Sequence, residues 1–135
     1  MNSEVENSIA MWLMSLPAFK GVRIHAGQTD EEIPGDESCL FVVCDSADSP
    51  APSLMVAGIK LAISTPVIMP GMLSAHQKLV SILRSSLANT NDAAAFFPPT
   101  LTLCGYAISG KSEQRDATHW ISEVSLTAGL VDLLA

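Results

Sequence analysis

The sequence predicts an α+β fold: a mainly antiparallel β-sheet of about five strands with two helices packed on one face, in the order α-β-β-β-α-β-β. Three observations predict it. Between Ser53 and Thr65 the odd positions Met55, Ala57, Ile59, Leu61 and Ile63 are apolar and most even ones are small or polar, a period of two with one wet face. After it, His76, Leu79, Val80, Leu83 and Leu87 fall on one helical face, opposite Gln77, Lys78, Ser81, Arg84 and Ser85. Near the end, Trp120, Val124, Leu126, Ala128 and Leu130 alternate with Ile121, Glu123, Ser125, Thr127 and Gly129. A one-faced strand and a one-striped helix each bury their apolar side by packing on the other.

Taken in order, Val5, Ile9, Trp12, Leu13 and Leu16 recur at helical intervals behind a capping-box spacing, Ser3 to Glu6, and Pro17 should end that first helix at Leu16. Val22 to Ala26 reads as a short strand with Val22, Ile24 and Ala26 on one side. Residues 27–38 hold five acids, a proline and two glycines and read as an exposed loop. Cys39 to Cys44 is an uninterrupted apolar run, suited to a strand buried on both faces or at an intermolecular contact. Asp45 to Pro52, with two prolines, reads as a second loop. Pro66 and the pair Pro70-Gly71 stop the long strand, and Ser74 with Gln77 offers a capping box for the second helix. Asn89 to Pro99 is irregular. Thr100 to Ile108 then alternates, with Leu101, Leu103 and Ala107 on one face, and Gly110 to Ala117 reads as a polar hairpin loop.

The totals suit a single domain over residues 1–135, with enough apolar residues (48%) to bury a core without metals or disulfides. Net charge is −7, which argues against nucleic acid as the main partner. The acids are concentrated early, with nine acids and two bases in residues 1–50 and five of each thereafter, so one face is expected to stay in water or meet a basic partner. Three cysteines, Cys39, Cys44 and Cys104, suit buried thiols in a reducing compartment. Glu4 and Glu6 stand where a secretion signal carries basic residues, and no apolar run is long enough to span a membrane. A soluble chain made inside the cell is expected.

Gly105 to Ser112 satisfies the phosphate-loop pattern G-x-x-x-x-G-K-[ST], but it continues a strand and no helix is expected after it to hold phosphate. Cys39 and Cys44 are an odd number apart and point to opposite faces of one strand, and His25, His76 and His119 fall in three different elements. His76 reads as a packed or boundary residue of the second helix. No G-x-S-x-G elbow is present. With no catalytic constellation, the expectation is a protein that is not an enzyme and has no cofactor or metal.

The layout, with its punctuation, resembles the tail terminator proteins of long-tailed bacteriophages, the lambda minor tail protein U type. The resemblance is carried by the N-terminal helix leading through an acidic loop to the apolar strand Cys39–Val43, and by the long strand Met55–Thr65 ending in prolines before a helix. It is carried further by Gly105-Tyr106 ahead of a charged stretch with Arg115 and Asp116, and by the Trp-led strand Trp120–Leu130. The apolar tail Leu130 to Ala135 and the Phe96-Phe97-Pro98-Pro99 approach depart from the family's pattern. The resemblance implies a ring, typically a hexamer, that sits on the tail tube, stops its polymerisation and offers a surface to the head–tail connector. Its partners would be copies of itself, the tube protein and the connector, with DNA at most passing through the ring. The place would be the neck of the virion tail, after assembly in the host cytoplasm. Polar rim contacts are expected from Asp30, Glu31 and Glu32 in the acidic loop and from Lys111, Glu113, Arg115 and Asp116 in the hairpin, and apolar ones from Cys39–Val43 and from Leu130, Val131, Leu133 and Leu134. A head-side neck subunit of the same fold is the neighbouring reading. A nucleotide-binding protein using Gly105–Ser112, or a small ligand-binding α+β domain with a deep pocket, are the readings from other classes.

Overall fold

The long period-two segments become the strands of one sheet, and each apolar helical stripe lies on its buried face. A computed structural model describes residues 2–27, 38–67, 71–115 and 118–133. Along the chain run α1 (Asn2–Ser15), a single 3-10 turn (Pro17–Phe19), β1 (Arg23–Ala26), β2 (Cys39–Ala51), β3 (Leu54–Pro66), α2 (Met72–Leu87), α3 (Thr90–Ala94), β4 (Leu101–Arg115) and β5 (His119–Asp132). The sheet order is β1-β2-β3-β5-β4. All pairings are antiparallel except β1 with β2, which run parallel. The α+β expectation holds, with α3 and the 3-10 turn added to the two expected helices.

Register explains where the core lies. Val42, Leu61 and Val124 are neighbours across three strands, as are Cys44, Ile59 and Leu126, and all six are buried. Onto this face pack Val5, Ile9, Trp12 and Leu13 of α1 together with Val80, Leu83 and Leu87 of α2. Each fully buried aliphatic or aromatic side chain contributes about 1.5–3 kcal/mol, so this layer is where stability resides. The opposite face of the sheet carries no helix among the described residues. Its side chains, such as Phe41, Val43, Ile121 and Val131, are half-buried, and Leu54 and Val56 are exposed.

Several expectations give way to pairing. Asp45–Pro52 is no loop: β2 continues to Ala51 against β3, with register shifts after Cys44 and after Asp48 absorbing the irregular residues. This stretch of β2 lies beyond the end of β1, and an edge strand tolerates proline because one row of its N–H groups needs no partner. Gly110–Ala117 is likewise no hairpin loop: β4 continues to Arg115, pairing Lys111 with Val124, Glu113 with Ser122 and Arg115 with Trp120. The shift between Leu103 and Gly105 exchanges faces, so Tyr106 and Ile108 share the core side with Leu103, and Ala107 is exposed. Asn89–Pro99 contains α3, whose first turn is capped by Asn89 Oδ1 accepting from the Asn91 N–H at 3.2 Å. Leu130 to Asp132, the first half of the expected apolar tail, belongs to β5.

Neither capping box forms. The N-cap of α2 is Gly71 at φ +79°, a left-handed conformation that glycine takes freely, and no side chain caps it. Ser3 lies inside α1, and Glu6 reaches instead to β2, where its Oε2 accepts from the Cys44 N–H at 2.8 Å. There is a physical reason. β1 ends at Ala26 opposite Val42, and the Gly27 N–H still reaches Val42 O at 2.7 Å, but beyond that point the β1-side edge of β2 has no strand beside it among the described residues. The Glu6 carboxylate supplies the acceptor the missing strand would have given. It also helps burial raise the Cys44 thiol pKa, burial being the larger cause. Glu6→Ala should cost about 1–3 kcal/mol, the range for stranding a buried donor, and Glu6→Gln, which keeps an acceptor, clearly less. Urea midpoints of the two variants check this; equal losses would show that the carboxylate does not hold the N–H.

Candidate functional site

Helix α2 packs on β3 and β5 and stops short of β4, the outermost strand. A cleft of about 390 Å³ is left between them. One flank is α2, where Leu73, Gln77, the pair Val80 and Ser81, and the pair Arg84 and Ser85 come round about once per helical turn on one side. The other flank and the floor are Glu113 and Gln114 of β4 with Trp120 and Ser122 of β5. The cleft is therefore amphipathic: aliphatic and indole surface, hydroxyls and amides, and one ion pair. That pair, Arg84 Nη2 to Glu113 Oε1 at 3.6 Å, bridges the helix and the strand. Arg84 Nε lies out of reach of water with no hydrogen-bond acceptor. The Arg115 guanidinium stands over the indole, 5.5 Å from the Trp120 ring centre.

At the cleft's inner end a polar chain passes into the core. His76 Nε2 is 2.8 Å from Ser122 Oγ, His76 Nδ1 is 2.8 Å from Thr65 Oγ1, and Thr65 Oγ1 is 3.3 Å from Ser38 Oγ. His76, Thr65 and Ser122 are all buried. Burial lowers the His76 pKa from its usual value, and the negative charge of Glu113 opposes this. In neutral imidazole one ring nitrogen donates and the other accepts, and the rotating hydroxyls on either side suit both tautomers. The chain has the order of a nucleophile, a base and an orienter. The orienter, however, is a hydroxyl, which supports an imidazolium far less than a carboxylate does. Ser122 also sits inside β5 between β3 and β4, where peptide N–H groups lie in the plane of the sheet and do not point to where an oxyanion would form. The arrangement serves as a polar clamp joining α2 to the sheet.

Of the residues singled out in the sequence, Lys111, Glu113 and Arg115 come together as alternate residues of β4 on the α2 side of the sheet, all exposed. Glu113 enters the cleft and Arg115 supports its indole wall. Asp30, Glu31, Glu32 and Asp116 lie outside the described residues. The phosphate-loop match, Gly105 to Ser112, is strand throughout, paired from Gly105 with Gly129 to Ser112 with Glu123, and the next element is β5, so it forms no anion cradle at a helix start. Sequence reasoning placed His76 correctly among packed residues but missed its partners and missed Arg84 and Trp120 as cleft walls. The signal for Arg84 was its place on the boundary of the α2 stripe. Among the described residues no three His, Cys, Asp or Glu side chains are grouped as metal ligands would be, and no helix is long and apolar enough to cross a membrane. Compared with known proteins, the chain matches no family model and no curated sequence.

Proposed function

We propose that this protein is a structural assembly subunit: a tail terminator that forms a ring on the end of a phage tail tube, stops tube polymerisation and presents a surface to the head–tail connector. No bond is made or broken in that role, and its place is the neck of the virion tail. The observation that carries the reading is the one-sided layering of the fold. The four long strands are 13–15 residues each, so the helix-free face spans roughly 45 Å by 19 Å at the usual strand rise and spacing. That is about 900 Å², close to what one partner contributes to an interface of standard size. Its half-buried Phe41, Val43, Ile121 and Val131 are interspersed with Lys60, Glu123 and Thr127, the mixed character of a recognition surface. Turned toward the tube or the connector, such a patch repeated around a ring adds up to useful affinity even if each copy binds weakly.

The test is the mass and shape of the purified chain, alone and with tube protein. Sedimentation velocity across micromolar concentrations should show a species several times 14.3 kDa, six-fold on the expectation of a hexamer, and electron microscopy should show rings. Added to growing tubes, it should cap their ends and stop elongation. A subunit that stays single in every mixture would refute the reading. One that assembles and binds only the connector would point to the head-side neck subunit.

A further inference from the structure

We infer that neighbouring copies join head to tail through a specific contact, in which the outer stripe of α1 on one copy seats in the α2–β4 cleft of the next. The inference rests on the ring-forming role above and names the surfaces that would build it. Its first ground is α1 itself. Glu4, Asn7, Met11 and Met14 follow one another at helical steps on the side facing away from the core, and all four are exposed. Met11 and Met14 are each 56% exposed, two large apolar side chains side by side and mostly open to solvent. Unbranched thioethers adapt well to irregular hollows.

The cleft supplies what that stripe lacks. Leu73, Val80 and Trp120 give apolar walls for two methionines, and Ser81, Ser85 and Gln77 can meet the Asn7 amide. The Arg84 side chain is 39% exposed, and Lys111 and Arg115 stand exposed on the adjoining strand. Among the described residues cations therefore outnumber acids at this rim, where Glu113 stands, and the carboxylate of Glu4 is their complement. The positions fit a ring as well. α1 packs on β1 and β2, while the cleft opens beside β4, so stripe and cleft lie toward opposite edges of the sheet. A contact between two unlike surfaces on opposite sides of a subunit repeats around a ring when its rotation closes.

Cysteine cross-linking tests this, with the exposed Cys104 replaced (Cys104→Ser). A chain with Met14→Cys mixed with a chain with Ser81→Cys should form disulfide-linked pairs under mild oxidation, and neither should do so alone. A chain carrying both substitutions should give a ladder that stops at the ring size. The pair Met11→Glu and Met14→Glu should shift the sedimenting species to single subunits while far-UV circular dichroism stays unchanged. Cross-linking of Met14→Cys to itself would mean a two-fold contact and would overturn the inference. So would assembly of the unsubstituted protein with no cross-link in the mixture, which leaves the ring reading standing. A protein that never assembles would remove both.

Discussion

Leu61→Ala should lower the free energy of unfolding by about 3–4 kcal/mol. Leu61 is wholly buried in β3, which lies between β2 and β5, with Val42 and Val124 as its cross-strand neighbours. Removing its branched end forfeits the transfer of those atoms out of water, and leaves a cavity that strands on both sides prevent from collapsing. A domain of this size has about 5–15 kcal/mol in total, so the loss would be a large share of it. The adjacent residue is the control. Lys60 faces the other side of the sheet, and its ion pair with Asp45 at 3.5 Å is about half exposed, so Lys60→Ala should change stability by less than about 1 kcal/mol. Urea unfolding of the two variants measures both. Comparable effects from Leu61 and Lys60 would mean that the helices do not cover the face assigned to them.

The second large effect is expected at His76. Because burial lowers its folded-state pKa below the unfolded value of 6.5, the unfolded chain binds the proton more readily. The sign follows from linkage: the contribution of neutral His76 is present above pH 6.5 and is lost as pH falls below it toward the folded pKa. Over that window the unfolding free energy should drop with a slope of at most about 1.4 kcal/mol per pH unit, the limit for one proton. The charge that acts on the ring is Glu113, which favours the protonated form and is itself paired with Arg84 of α2. His76→Phe should flatten this part of the pH profile and cost about 2–3 kcal/mol at neutral pH, because Ser122 Oγ loses its partner in a buried site while Thr65 keeps Ser38. Denaturant titrations between pH 7.5 and 5 give both readouts. An unchanged pH profile in the variant would show that the imidazole does not carry the acid sensitivity.

The same residue shows how far local pattern reaches. The apolar stripe of α2 put His76 among packed side chains before any contact was known, since a residue one turn from Val80 must face the same way. Nothing local could name Thr65 and Ser122, which are 11 and 46 positions away and meet the ring only because β3 and β5 are neighbours. Polar strand ends misled for a similar reason. Asp45–Ala51 and Gly110–Arg115 carry the residues of loops, yet their backbones find partners in β3 and β5, and ladder hydrogen bonds make little distinction among side chains at an edge. The cleft was illegible because a hollow is defined by what a helix fails to cover.

By itself the sequence determined the periodic elements and the face each would bury: α1, α2, the long strands β3 and β5, and an aliphatic core. Hydrophobic periodicity is a local property, and it survives whatever the distant chain does. Tertiary structure alone decided the parallel pairing of β1, the β4 shifts that exchange its faces, the carboxylate standing in for a strand at Cys44, and the cleft beside α2. Each of these depends on which backbone groups lack a neighbour once the sheet has formed, a quantity fixed by long-range pairing that no window of residues contains.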